Sequence, residues 1–201
     1  MIKAVVFDAD GVLIDNTKVY IRAYKETGRK LGLKIPSDSE IKEVFGLTWD
    51  DMLASFYGKV DGKMKRTLLK ICIDLRSKMK IMDGLEYVLK NLKFRKAIAA
   101  SKSKSSLKIE LGSLIEFFEV IITREDTKKP NPEPLLLTCK KLGIKPGEAV
   151  YVGDAVNDFK AARNAGMSFI GFRSGATTKK EFDSLGVKSV NSMKELLRLL
   201  Q

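Results

Sequence analysis

The chain has 201 residues, enough for one sizeable core with a small accessory domain, and 44% of them are hydrophobic. It contains no histidine, which removes the usual general base at neutral pH and the usual zinc ligand, so Ser-His-Asp hydrolysis, His-zinc catalysis and phosphohistidine chemistry are excluded. The formal net charge is +12, yet the lysines are dispersed and form no aromatic-interleaved basic block, which argues for a solvated surface attracting small anions rather than for a nucleic-acid protein.

Residues 2–7, IKAVVF, are a β-branched apolar run ending at Asp8 and read as a buried parallel strand. After GVLIDN the pattern changes. From residue 16 to 80 the periodicity is helical throughout, in KVYIRAYKETGRKLGL, SDSEIKEVFG, TWDDMLASFYG and KMKRTLLKICIDLRSKMK, with a capping box expected at Ser37 and Glu40. The spacing predicts an all-helical insert with hinges near 15–18 and 79–83. Strand and helix then alternate: helix GLEYVLKNLK, strand KAIAAS, helix SSLKIELGSL, strand FEVIIT, helix PEPLLLTCKKLG, strand AVYVGD, helix DFKAARNAG and strand SFIGF. This order predicts an α/β fold with a doubly wound, Rossmann-like parallel sheet formed by 1–15 and 81–201, carrying a helical cap of 16–80.

No apolar run reaches the roughly 18 to 20 residues of a membrane span, and the N-terminal MIKAVVFDAD lacks the apolar core of a signal peptide, so a cytoplasmic protein is expected. Cys72 and Cys139 fit no metal or redox spacing and read as reduced, buried structural residues.

Polar residues follow four of the expected strands: Asp8 and Asp10, Ser101, Lys129, and Asp154 with Asp158. In an open α/β sheet these strand ends meet in one crevice. Three aspartates gathered there need a compensating charge, which a hard divalent cation such as Mg²⁺ supplies while keeping coordination positions for phosphate oxygens. Lys129 and the Ser101 hydroxyl would complete an anion site. Without histidine, one carboxylate would attack phosphorus and a second, protonated one would serve the leaving alcohol.

FDADGVLID, Ser101 at the end of AIAAS, KKPNPEP and YVGDAVNDFKAARNAGM resemble, in order and spacing, the four motifs of the haloacid dehalogenase superfamily, in its phosphatase branch with a helical cap. The resemblance spans essentially the whole chain. It implies Asp8 as nucleophile and metal ligand, and Asp10 as general acid/base that also ligates the metal through its carbonyl. Ser101 and Lys129 would bind phosphate, while Asp154 and Asp158 would complete the metal shell. Gly11 suits the sharp turn after Asp10.

Plainer roles compete with some of these. Ser103 rivals Ser101, either serine being suited to cap a helix; Lys128 rivals Lys129; and Asp158 would serve as a helix cap. Phe45, Gly46, Leu47 and Trp49 are the expected specificity residues of the cap, although Trp49 would also suit the cap's own core.

Dehalogenases of the superfamily lack the second aspartate of the first motif, so Asp10 favours phosphoryl transfer. A phosphomutase of the β-phosphoglucomutase type shares all four motifs, but carries an Arg where this chain has Phe45 before Gly46. The expectation is therefore a Mg²⁺-dependent phosphatase acting on a small phosphorylated metabolite as a monomer or small homo-oligomer. A mutase, a phosphonoacetaldehyde hydrolase using a cap lysine, and a non-catalytic phosphate- or nucleic-acid-binding protein remain the alternatives.

Overall fold

The computed structural model describes residues 1–126 and 132–201. In chain order it places β1 (Ala4–Phe7), β2 (Ile14–Asp15), α1 (Thr17–Leu31), α2 (Asp38–Glu43), α3 (Trp49–Tyr57), α4 (Gly62–Asp74) and β3 (Lys80–Ile81). There follow α5 (Leu85–Asn91), β4 (Arg95–Ala99), α6 (Lys104–Leu111), β5 (Val120–Ile122), α7 (Glu133–Leu142), β6 (Ala149–Gly153), α8 (Val156–Ala165), β7 (Ser168–Phe172), α9 (Lys179–Ser184), β8 (Ser189–Val190) and α10 (Met193–Leu200).

Six strands form one parallel sheet in the order β5-β4-β1-β6-β7-β8. The chain steps outward from β1 through β4 to β5, then crosses back to lay β6 on the other side of β1. That reversal is the switch point at which an open sheet forms its crevice, here at the carboxyl ends of β1, β4 and β6.

The apolar runs of these strands have a simple cause. Successive side chains of a strand point to opposite faces, and both faces are covered by helices. Val5 and Phe7 pack on one side with Ile98, Leu85, Leu89, Leu107 and Leu196. Ala4 and Val6 pack on the other with Ala97, Tyr151, Leu135, Cys139 and Ala162. Cys72 and Cys139 are unpaired and buried, as read from the sequence.

The doubly wound parallel sheet is as expected, with two differences. A short antiparallel ribbon joins β2 to β3, Ile14 facing Ile81 and Asp15 facing Lys80, at the two crossings read as hinges. Two-residue strands leave no periodicity to read. The chain after Phe172, left unassigned from the sequence, adds β8 to the sheet edge and lays α10 against α5 with Met193, Leu196 and Leu197 buried.

The four helices α1–α4 lie between β2 and β3 and share an apolar cluster of their own, including Tyr24, Ile41, Leu53, Leu68 and Ile71. The Ser37–Glu40 capping box is formed: Ser37 Oγ accepts from the Glu40 amide at 3.2 Å, and the Ser37 amide donates back to Glu40 Oε2 at 2.8 Å. Ala155, at the start of α8, belongs to the same cluster, so this helical layer rests on the crevice end of the sheet.

Candidate active site

Asp8 leaves β1 with its amide still bonded to the Val152 carbonyl of β6 at 2.9 Å, so the strand geometry carries through to the aspartate. Asp154 follows β6, and Asp158 occupies the first turn of α8. The three side chains are buried, and one carboxylate oxygen from each lies within 4.8 Å of the others. Two glycines permit that packing. A Cβ on Gly11, whose φ is 73°, would fall 2.0 Å from Asp154 Oδ2, and one on Gly153 would fall 2.5 Å from the Asp158 Cβ.

Burial is the main force on all three groups; repulsion comes second for Asp8 and Asp154, whereas for Asp158 it ranks behind the hydrogen bonds the carboxylate accepts. Asp8 is held well above the ordinary carboxylate range by desolvation, then by Asp158, Asp10 and Asp154. Asp154 is raised in the same way, against a hydrogen bond from Ser174 Oγ at 2.8 Å. Asp158 is pushed up to about 6 by burial, although it accepts from the Ala155 amide at 3.0 Å. Three buried carboxylates with clustered oxygens are compatible with a hard divalent cation. The cap-like bond of Asp158 and its place in the cluster coexist, so the two readings of this residue do not compete.

Asp10 is turned differently. Its Oδ1 accepts from Asn16 Nδ2 at 2.5 Å and from Lys102 Nζ at 2.6 Å, and its carboxylate is not one of the three clustered oxygens. Asn16 in turn accepts from the Gly11 amide at 3.2 Å, closing the loop after β1. The two aspartates of the first motif therefore have separate surroundings.

Ser101 and Ser103 are placed differently. Ser103 caps α6, accepting from the Ser106 amide at 3.2 Å, whereas Ser101 lines the cavity above the aspartates. Ser101 Oγ donates to the Gly46 carbonyl at 3.4 Å, a long bond. Lys129 and its rival Lys128 lie outside the described residues.

The cavity measures about 80 Å³ and is floored by Asp8, Asp10, Asp154 and Asp158. Its roof comes from the helical layer: Tyr20, Phe45, Gly46, Leu47, Trp49 and Met52. Trp49 meets Tyr20 edge-on at 6.3 Å while lining the cavity, so it belongs both to the packing of that layer and to the roof. The loop holding Phe45 and Gly46 is fastened to the floor by Asn157, whose Nδ2 donates to the Phe45 carbonyl at 2.8 Å and to the Glu43 carbonyl at 3.3 Å. A Cβ on Gly46 would come within 3.3 Å of Asp158 Oδ1, which shows how close roof and floor are.

The model of the haloacid dehalogenase-like hydrolases matches residues 5–172, the span from β1 to the end of β7. The chain belongs to this family. Among curated hydrolases it resembles a PpaX protein of Clostridium perfringens, provisionally named a pyrophosphatase, at 33% identity over 86% of this chain and 85% of the relative. A phosphoglycolate phosphatase of Nitrosospira multiformis is 28% identical over 82% of this chain and 80% of its own. Among solved structures, a Bacteroides fragilis protein provisionally described as a haloacid dehalogenase-like hydrolase superposes with a TM-score of 0.86 at 26% identity, covering 98% of this chain and all of that one.

Beside the hydrolase motifs, sequence reasoning missed Asn16, Lys102, Asn157 and Ser174. Asn157 sits inside GDAVNDF and was open to assignment, being two residues from the start of a helix that faces the site. Lys102 directly follows Ser101 but is one of 37 basic residues, and nothing in its neighbours distinguishes a buried lysine from a solvated one.

Proposed function

We propose that the protein is a Mg²⁺-dependent phosphatase of small phosphorylated metabolites, with residues 16–80 acting as a lid over the site. The observation that carries this reading is the buried cluster of Asp8, Asp154 and Asp158 beside a separately held Asp10, all under one roof. The names of the relatives support hydrolysis of a phosphate ester or anhydride. Phe45 before Gly46, in place of the mutase arginine, supports hydrolysis over transfer within a sugar phosphate.

Asp8, Asp154, Asp158 and the Asp10 carbonyl would hold Mg²⁺, whose contribution when bound is to neutralise charge on the phosphoryl oxygens. An Asp8 carboxylate oxygen attacks phosphorus, forming the O–P bond of an aspartyl phosphate as the bond to the leaving oxygen breaks. Asp10 delivers its proton to that oxygen. Water then attacks phosphorus and gives its proton to Asp10, while the bond from Asp8 to phosphorus breaks and phosphate is released. Ser101 and Lys129 contribute a donor and a charge to the phosphoryl group. Tyr151, whose hydroxyl is held neutral by burial and by Asp8, donates to the Ala99 carbonyl at 3.1 Å and braces the floor.

Shedding the bond between Asn157 and the Phe45 carbonyl would let the roof lift for exchange, and reclosing would exclude water. The test is phosphate release from a panel of phosphorylated metabolites with Mg²⁺. Release that Asp8→Asn abolishes is the expected result; no release from any member, or release unchanged in Asp8→Asn, overturns the reading.

A further inference from the structure

Lys102 is 7% exposed, and an ammonium taken out of water costs several kcal/mol unless its hydrogens are matched. Two hydrogen bonds and one ion pair compensate it. Its Nζ donates to Asp10 Oδ1 at 2.6 Å and to the Tyr20 hydroxyl at 2.8 Å, and stands 2.9 Å from Glu110 Oε2 in an ion pair. The three partners belong to different parts of the fold: the loop after β1, the first helix of the roof, and α6.

Each partner constrains the geometry. Glu110 is buried with Lys102, their side chains 7% and 6% exposed, which anchors the lysine from the core side. Tyr20 packs edge-on against Trp49, a residue of the cavity roof. On Asp10, both the Lys102 and Asn16 bonds fall on Oδ1; Oδ2 carries none among the described residues and is the oxygen left to exchange a proton with a bound substrate.

We propose that Lys102 is a positioning residue that aims the Asp10 carboxyl at the leaving group and ties that aim to the roof through Tyr20. The role rests on the phosphatase reading, in which Asp10 handles the leaving-group proton. It makes no contact with the phosphoryl group and acts only through Asp10.

Leaving groups of different basicity separate this role from a structural one. p-Nitrophenolate departs without a proton, whereas an alkoxide needs one, and kcat/KM reports the steps up to leaving-group departure. The measurement is kcat/KM with Mg²⁺ for p-nitrophenyl phosphate and for the alkyl phosphate that the wild type cleaves fastest. Lys102→Met is combined with Glu110→Gln so that no buried carboxylate is left unpaired.

In that double variant the aryl-to-alkyl ratio of kcat/KM is expected to rise by about tenfold or more, as general-acid help is lost. Lys102→Arg, which keeps donors facing Asp10, should bring the ratio back toward wild type. Tyr20→Phe removes one oxygen and no charge, and should move the ratio the same way by about threefold, a hydrogen bond's worth. An equal fall on both substrates, or an unchanged ratio in Tyr20→Phe together with a double variant that melts like the wild type, overturns the role. If the double variant does not fold, Tyr20→Phe decides alone, an unchanged ratio overturning the proposal. Failure of the wild type to release phosphate from either ester would instead overturn the phosphatase reading on which the role depends.

Discussion

Gly11 and Asp154 share one space: a Cβ on the glycine would lie 2.0 Å from the carboxylate oxygen Oδ2 and 2.8 Å from Ser174 Oγ, which bonds that same oxygen. The aspartate is thus seated against bare backbone. Gly11→Ala must displace Asp154 and adopt a φ of 73° unsuited to an L side chain. Expected are a loss of about 2 kcal/mol in stability and a clear weakening of Mg²⁺ binding, read by thermal melting and calorimetric titration.

The buried carboxylates set a pH dependence for the metal-free protein. Asp158 titrates near 6 in the folded chain against 3.8 for an ordinary aspartate, and Asp8 and Asp154 are also raised. An acid raised by folding holds its proton more tightly in the native state. Its stabilisation is complete below the ordinary value and is lost as pH rises through the folded one. The melting temperature of the metal-free protein should therefore fall from pH 5 to pH 7.5. Because the metal needs the ionised carboxylates, added Mg²⁺ should raise the melting temperature more at pH 7.5 than at pH 5. A larger Mg²⁺ effect at the lower pH would refute this account.

Asp158→Asn tests the same electrostatics from the other side. Removing one of three mutually repelling charges should raise the metal-free melting temperature at pH 7.5, while reducing Mg²⁺ affinity and phosphate release. A variant less stable than wild type in the absence of metal would show that the bond from the Ala155 amide outweighs the repulsion.

Ser101 and Ser103 should separate cleanly on truncation. Ser103→Ala removes the cap of α6 and should lower stability by about 1 kcal/mol with little change in kcat/KM. Ser101→Ala removes an exposed hydroxyl at the cavity and should lower kcat/KM about tenfold with the melting temperature unchanged. The reverse assignment of effects would exchange their roles.

Asn157→Ala should loosen the roof. Two bonds to the Phe45 and Glu43 carbonyls disappear, worth about 1 kcal/mol each, so KM should rise about fivefold or more while the core remains intact. Steady-state kinetics beside a melting curve would check both halves of the expectation.

Much of this arrangement was legible in the chain itself. The sheet strands read as buried because both of their faces are covered, which turns IKAVVF and AVYVG into continuous apolar runs. Asp8, Asp154 and Asp158 were legible because each directly follows a strand or opens the helix after one, and a parallel sheet brings such positions to one edge. The β2–β3 ribbon was not, since two-residue strands carry no period. Neither were β8 and α10, although the spacing of Met193, Leu196 and Leu197 on one face offered a signal.

By itself the sequence determined the parallel sheet, the helical insert, the absence of histidine chemistry and the meeting of the aspartates, because these follow from periodicity, composition and the position of residues at strand ends. The tertiary structure alone decided which way the side chains turn. It placed Ser103 on a helix amide and Ser101 in the cavity, swung the Asp10 carboxylate to Asn16 and Lys102, and buried Lys102. Such choices depend on partners up to 92 positions away, as between Asp10 and Lys102, and a local pattern holds no trace of them.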